Sequence, residues 1–304
     1  MARKGHKVKD VTGMQNIMFD LKPNRCEAEV FMSSNVDVTE FVKYMKELKK
    51  KHQDVTYFHG FVHIMGKVLH EYPYLNRFVQ NRTLFEHDEV SIAFVAKAEF
   101  NEKSEEFMTC LPIGKDDTIL EVSKNLKAKI DKIRDAKSTA NTDGANNVVD
   151  KIGHVWRPLR SFLVGILKWI DRVFGLPGSI ADENIYYSSI IVSNIGTFRV
   201  PGIYHNLANL GTSSGLVTFG DIREDNGKYT MNLGITLDER IADGFYFCRA
   251  LKAIEYLFAH PELMMESASK HFEIPEYVHT KTEKKKSKKI WLGKTSLFWY
   301  NFMY

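Results

Sequence analysis

Cysteine is scarce in this 304-residue sequence: Cys26, Cys110 and Cys248 stand far apart and form no C-x-x-C pair. That spacing excludes a cysteine-held zinc or a dithiol redox pair, and it fits a reducing, cytoplasmic location. The opening residues MARKGHKVKD are basic but lead into no apolar core with a small-residue cleavage site, so no secretion signal is read. No stretch of eighteen residues is both apolar throughout and free of charge, which argues against an ordinary membrane-spanning helix. His59, His63 and His70 share one segment but lack metal spacing to a third ligand, and no metal site is expected. Charge of one sign is not in large excess either. The net charge of +4 and pI near 8.7 owe much to one late lysine run, and no nucleic-acid-binding module accompanies them. A nucleic-acid partner is not expected.

What is present suffices for a sizeable core, with 44% hydrophobic against 26% charged residues. Residues 26–38 favour extended structure. After Asp37, the segment VTEFVKYMKELKKK places Val38, Phe41, Val42, Met45 and Leu48 at helical spacing, which predicts a helix with one buried stripe. Residues 56–71 repeat the pattern through Phe58, Phe61, Val62, Met65 and Leu69, until Pro73 stops it. Strands are predicted at 89–99 and 107–113, followed by a charged helix from Thr118 to Ala136. Further on, 185–193, 214–222 and 228–238 read as strands, with a turn at Asp-Asn-Gly between the last two, and a helix runs from Gly244 to Ala259. Strands and helices mix without strict alternation and no repeat occurs, so the expected class is α/β, a mixed sheet with packed helices.

Two segments stand apart. Between Lys137 and Val148, Ser, Thr, Asn, Asp and Gly mark a loop. Residues 155–175, VWRPLRSFLVGILKWIDRVFG, combine a strong apolar stripe with Arg157, Arg160, Lys168 and Arg172, and Pro158 falls in the first helical turn. Such a helix suits three settings: packing on its own domain or a neighbouring subunit, lining an apolar substrate entrance, or lying on a membrane surface. The tail is lysine-rich from Lys281 to Lys289 and then aromatic, a composition that fits an anionic bilayer or a plain disordered end equally. The expected division is a catalytic-type domain at 1–280, carrying the loop and apolar segment at about 137–178, and a tail at 281–304.

LDERIADGFYFCRALKAIEYLFAHPELM, residues 237–264, resembles the closing motif of the 2-oxoacid dehydrogenase (dihydrolipoyl) acyltransferase catalytic domain, a chloramphenicol acetyltransferase-like fold. That motif reads Asp-His-Arg, two apolar or small residues, then Asp-Gly and a helix. Asp238, Arg240, Ile241, Asp243 and Gly244 fit, while the histidine position holds Glu239. VDVTEFVKYMKELKK before a hydrophobic helix and EYPYLNRFV resembles the family's N-terminal half, and VSNIG at 192–196 resembles its serine-bearing strand end. The resemblance implies a two-layer domain assembled as a homotrimer, with coenzyme A and the acyl acceptor entering from opposite sides of a channel at each subunit boundary. No lipoyl-type module with its attachment lysine, peripheral binding module or Pro/Ala-rich linker is read, so a conventional scaffold subunit is not expected.

Acyl transfer from a thioester needs a base for the acceptor's proton and a donor for the oxyanion of the tetrahedral intermediate. In the family these are the motif histidine and a serine or threonine hydroxyl. The resemblance therefore points to Ser193 as oxyanion donor and to Glu239 in the base position, although a serine before Asn-Ile-Gly is also an ordinary strand end. A carboxylate lies about 4 pKa units below a thiol, against about 2 for imidazole, so the exchange adds roughly 3 kcal/mol to proton transfer, a factor of order one hundred. Burial in an apolar channel raises a carboxylic acid and narrows that gap. Three readings stand. Glu239 is a carboxylate base in a transferase using a coenzyme A thioester, with an acceptor that is apolar or membrane-associated; or catalysis is lost and Glu239 pairs with Arg240 or another cation in a binding or assembly protein; or the base has moved to His205. Asp243 and Gly244 are expected to open the last helix. In the family this aspartate pairs with a site-ordering arginine, for which Arg240 and Arg25 are the candidates.

Overall fold

The computed structural model describes residues 5–97, 106–138, 153–176, 178–181 and 184–275. The chain divides into two units, Met1–His271 and Phe272–Tyr304. Residues 139–148 of the expected loop and the lysine-rich and aromatic tail lie outside the described residues.

In the first unit the strands are β1 (Gly5–Lys7), β2 (Glu29–Asp37), β3 (Arg77–Gln80), β4 (Thr83–His87), β5 (Ser91–Lys97), β6 (Glu106–Pro112), β7 (Ile190–Asn194), β8 (Gly215–Asp225) and β9 (Lys228–Asp238). The main helices are α1 (Gly13–Leu21), α2 (Thr39–Lys51), α3 (Tyr57–Glu71), α4 (Ile119–Ser138), α5 (Arg157–Phe174) and α6 (Gly244–Ala259). Six strands form a sheet in the order β2-β9-β8-β7-β5-β6, and β1, β4 and β3 form a smaller one. In the large sheet β7 runs parallel to both β5 and β8, and the other neighbours are antiparallel. The expected α/β mixed sheet with packed helices is the observed architecture.

The apolar spacing read from the sequence becomes the contact between layers. Phe41 on α2, Phe61 on α3 and Phe258 on α6 meet Phe219 on β8, with Phe61 stacked on Phe219 at 4.4 Å between ring centroids and Phe41 edge-on to Phe258 at 5.1 Å. Each ring buries a large apolar area, and this cluster ties three helices to the middle of the sheet. On the opposite face of β8 and β9, residues 201–207 cross the strands. There Thr218 Oγ1 donates to Ile203 O at 2.5 Å, and a Cβ on Gly202 would stand 2.4 Å from Gly234 N. Only glycine permits that approach.

Several elements depart from the sequence reading. Strand character at 185–193 begins only at Ile190, because Asn184 Oδ1 accepts from Tyr186 N at 3.0 Å and turns Ile185–Tyr187 into a 3-10 turn. The β3–β4 hairpin was not foreseen: its turn holds Asn81 and Arg82 both at positive φ, 49° and 55°, where Asn-Gly is the usual signal. Helix α5 packs on its own unit only along one side. Asp171 is its buried residue, and Leu167 and Ile170 pack against Leu176, Ala181 and Tyr187, whereas Phe162, Ile166 and Trp169 are exposed. No helix among the described residues is long and apolar enough to cross a membrane.

Helix α3 is buried on nearly all sides, and its histidines go with it. His59 Nδ1 lies 2.7 Å from Ser123 Oγ, and His63 Nε2 lies 3.2 Å from Asp117 O. Burial penalises the charged rings and holds both at about 4. Because the folded-state value lies below the unfolded one, the unfolded chain takes up protons first. The stability this contributes is complete above about pH 6.5 and is lost as pH falls to about 4, by roughly 3 kcal/mol per histidine. Urea unfolding across that window should show the decline, and His63→Phe should reduce it by roughly 3 kcal/mol.

Candidate active site

Strand β9 ends at Asp238, which pairs with Glu29 of β2 and has no exposed surface. Two residues on, Arg240 folds back onto it. Arg240 Nε donates to Asp238 Oδ1 at 2.8 Å and Nη2 to Oδ2 at 2.6 Å, a two-pronged match of planar groups. The remaining nitrogen, Nη1, donates to Lys22 O and Pro23 O at 2.9 and 3.3 Å. Arg25 approaches the same carboxylate, with Nε 3.8 Å from Oδ2, and donates to the carbonyls of Ala208, Leu210 and Gly211 at 2.6, 3.1 and 2.8 Å. Burial lowers the Arg25 guanidinium from its ordinary value, opposed chiefly by Asp238.

A second buried carboxylate supports the same region. Asp171 of α5 accepts from Tyr187 Oη at 2.8 Å and from Gly211 N at 2.9 Å, and Gln80 Nε2 donates to its backbone oxygen at 2.6 Å. Burial first, and then the Asp171 charge, push the Tyr187 phenol far above its ordinary value. Beside Asp171 and the two arginines opens a cavity of about 330 Å³, whose walls include Arg25, Gln80, Lys168, Trp169, Asp171 and Arg240. Lys22, Asp171, Gln80 and Tyr187 were not singled out from sequence, since each gains its role from a partner distant in the chain.

Glu239 sits between the paired residues Asp238 and Arg240. Its backbone N donates to Ala28 O at 2.8 Å, and its carboxylate forms an ion pair with Lys22. The side chain is 30% exposed. Within one chain its setting is therefore a half-exposed pair with an ammonium group, not an apolar channel, and its cation is Lys22 and not Arg240.

Asp243 caps α6 by accepting from Tyr246 N at 2.8 Å, and Gly244 is the first residue of that helix. The arginine pairing implied for Asp243 falls instead on Asp238, which takes both Arg240 and Arg25. The physical reason is depth: Asp238 is wholly buried at a strand end beside both guanidiniums, whereas Asp243 lies outside and spends its oxygen on the helix start.

Ser193 lies half-buried on β7, and its hydroxyl makes no hydrogen bond to a described residue. It is level with Thr218 on β8, which is level with Gly234 on β9. Glu239 follows Gly234 by five residues, about 17 Å along the strand and two strands over. One chain does not bring the two together. His205 is exposed, with its backbone N 3.3 Å from Thr236 Oγ1 and Nδ1 3.0 Å from Asn206 O. It lies closer to Glu239 along β9 than Ser193 does. No group of three or more His, Cys, Asp or Glu among the described residues is placed to hold a metal ion.

The fold is that of the chloramphenicol acetyltransferase-like acyltransferase cores. A probable dihydrolipoamide acetyltransferase from Listeria monocytogenes 4b F2365 superposes with a TM-score of 0.54 at 16% identity, covering 84% of this chain and 95% of that one. The dihydrolipoamide acetyltransferase of Azotobacter vinelandii gives 0.54 at 13% identity over 85% and 94%, and a chloramphenicol acetyltransferase gives 0.52 at 14% over 84% and 99%. No curated protein matches the sequence. The profile of the 2-oxoacid dehydrogenases acyltransferase (catalytic domain) family matches residues 4–155, and the chain belongs to that family. The matched half carries Lys22 and Arg25; Ser193 and Glu239 lie beyond it.

Replacing Asp238 with asparagine leaves two buried guanidiniums without their counter-charge. Asp238→Asn should lower the unfolding free energy by about 3–5 kcal/mol, whereas Asp243→Ala, which removes only a helix cap, should cost about 1 kcal/mol. Guanidinium chloride titration of the two variants beside the parent chain measures both.

Proposed function

We propose that this chain is an acyltransferase using a coenzyme A thioester as donor, and that its working site joins two copies of the chain in a homotrimer. The observation that carries the reading is the separation of Ser193 from Glu239. Each is fixed by the sheet, about 17 Å apart along it, so only a second copy can set one chain's serine against another's glutamate. Surface chemistry supports self-association. Met14, Ile17 and Leu21 share one exposed face of α1, and Phe31 and Tyr204 meet at a tilt, 5.3 Å between ring centroids, with much of their surface uncovered. The Azotobacter vinelandii enzyme has been studied for the role of a serine, a histidine and an asparagine in its catalytic mechanism. The histidine and asparagine stand four positions apart, as Glu239 and Asp243 do here.

In this reading the acceptor's thiol or hydroxyl proton passes to the Glu239 carboxylate as the acceptor's heteroatom bonds to the thioester carbon. The carbonyl electron pair moves onto oxygen, which receives a hydrogen bond from the Ser193 hydroxyl of the adjoining copy. Collapse of the intermediate restores the carbonyl and breaks the carbon–sulfur bond, and the departing coenzyme A thiolate takes the proton back from Glu239. Asp238 and Arg240 hold the backbone on either side of the glutamate, and Lys22 orients its carboxylate.

Thiol release from short and long acyl-coenzyme A donors, with dihydrolipoamide and simple alcohol or amine acceptors, tests this. Glu239→Gln and Ser193→Ala should each lose about a hundredfold in rate. When the two inactive variants are unfolded together and reassembled at equal ratio, about a quarter of the activity should return, because a quarter of the boundaries then hold both native residues. No recovery would place the site within one chain. An unaltered rate in Glu239→Gln would assign that carboxylate to the Lys22 pair alone, and absence of turnover from every donor would remove the transferase reading.

A further inference from the structure

We propose that the exposed face of α5 docks the protein on an anionic lipid bilayer. Leu159, Phe162, Ile166 and Trp169 recur at intervals of three and four residues and are all exposed, Phe162 at 64% and Trp169 at 58%. They therefore form one stripe along the helix. Its direction is fixed from the other side. Asp171, nine residues after Phe162 and so about 180° around the helix, is 4% exposed and held by Tyr187, Gly211 and Gln80.

The charges of the helix choose the occupant. Arg157, Lys168 and Arg172 are exposed and Arg160 is half-buried, while the helix's single acid, Asp171, is spent in the interior. At about 100° per residue, Arg157 and Lys168 fall within about 60° of the Asp171 direction, on the side of α5 away from the apolar stripe, and no anion shares the exposed surface of the helix. A second copy packed stripe to stripe would leave this cationic side without a counter-charge. A headgroup layer rich in phosphate complements it: with the apolar stripe sunk toward the acyl chains, the cationic side of the helix stands at the level of the phosphates, which the arginine and lysine stems reach. The helix runs about 27 Å at 1.5 Å per residue, and it lies in the interface plane without crossing. Lys168 and Trp169 also stand in the wall of the cavity beside Arg240, so docking brings that opening to the level of the headgroups.

The test is co-sedimentation of the full chain with phosphatidylcholine vesicles containing about 30 mol% phosphatidylglycerol, beside vesicles of phosphatidylcholine alone. The parent chain should pellet with the anionic vesicles and weakly with the neutral ones. Arg157→Ala and Lys168→Ala should each reduce the partition coefficient roughly fivefold, and Phe162→Glu, at a site that disturbs no packing, should abolish binding. A parent chain that stays in the supernatant overturns the proposal. So does binding that survives all three substitutions, which would place the lipid contact elsewhere in the chain. Sedimentation velocity supplies the remaining arm: a drop in oligomer mass in Phe162→Glu, with no vesicle binding by the parent, assigns the face to a second copy and likewise overturns it.

Discussion

A carboxylate with no access to water must have its charge met inside the protein, and Asp238 is met twice. Arg240 holds it edge to edge, and Arg25 reaches it from the N-terminal side of the fold. Burying three charged groups is costly, and the cost is offset only when the remaining donors also find partners. Five backbone carbonyls take most of them, those of Lys22, Pro23, Ala208, Leu210 and Gly211, while Arg25 Nε faces the Asp238 charge at 3.8 Å without a hydrogen bond. One acid at the end of β9 therefore fixes the chain at 22–25, the loop at 208–211 and the entry into α6. Glu239 inherits its position from that arrangement, with neighbours on both sides that cannot turn.

The same arrangement explains how a glutamate can occupy a position where the family motif carries histidine without disturbing the frame. Exchange at position 239 alters a side chain that points outward to Lys22, while the frame depends on residues 238, 240 and 243. The motif has two separable parts. One is structural and complete; the other is the chemical group it presents.

The periodic elements were legible in the sequence because burial imposes their spacing directly. Helices α2, α3, α4 and α6 and strands β5, β6, β8 and β9 fall within a few residues of the expected bounds, and Asn226-Gly227 turns the β8–β9 hairpin where expected. The β3–β4 hairpin escaped because Arg82 occupies a backbone region that sequence patterns reserve for glycine or asparagine. The short β1 and α1 carry too few buried side chains to show a period, Phe19 being the buried residue of α1. In the site, local features were readable, such as the aspartate and glycine that open α6. Pairings across the chain were not. Arg240 and Lys22 lie 218 residues apart, and nothing in either neighbourhood marks the other.

Asp171 sets the rotational position of α5, and this constrains how the segment can vary. Substitutions along the helix leave the anchor in place, but inserting or deleting a single residue between Arg157 and Asp171 would swing everything before it by about 100° relative to the anchor. A change of seven residues, close to two turns, would nearly restore the original direction. Chain length between the buried acid and the aromatic stripe is thus quantised by the pitch of the helix, and relatives that keep both should differ there, if they differ in length at all, by close to a whole number of turns.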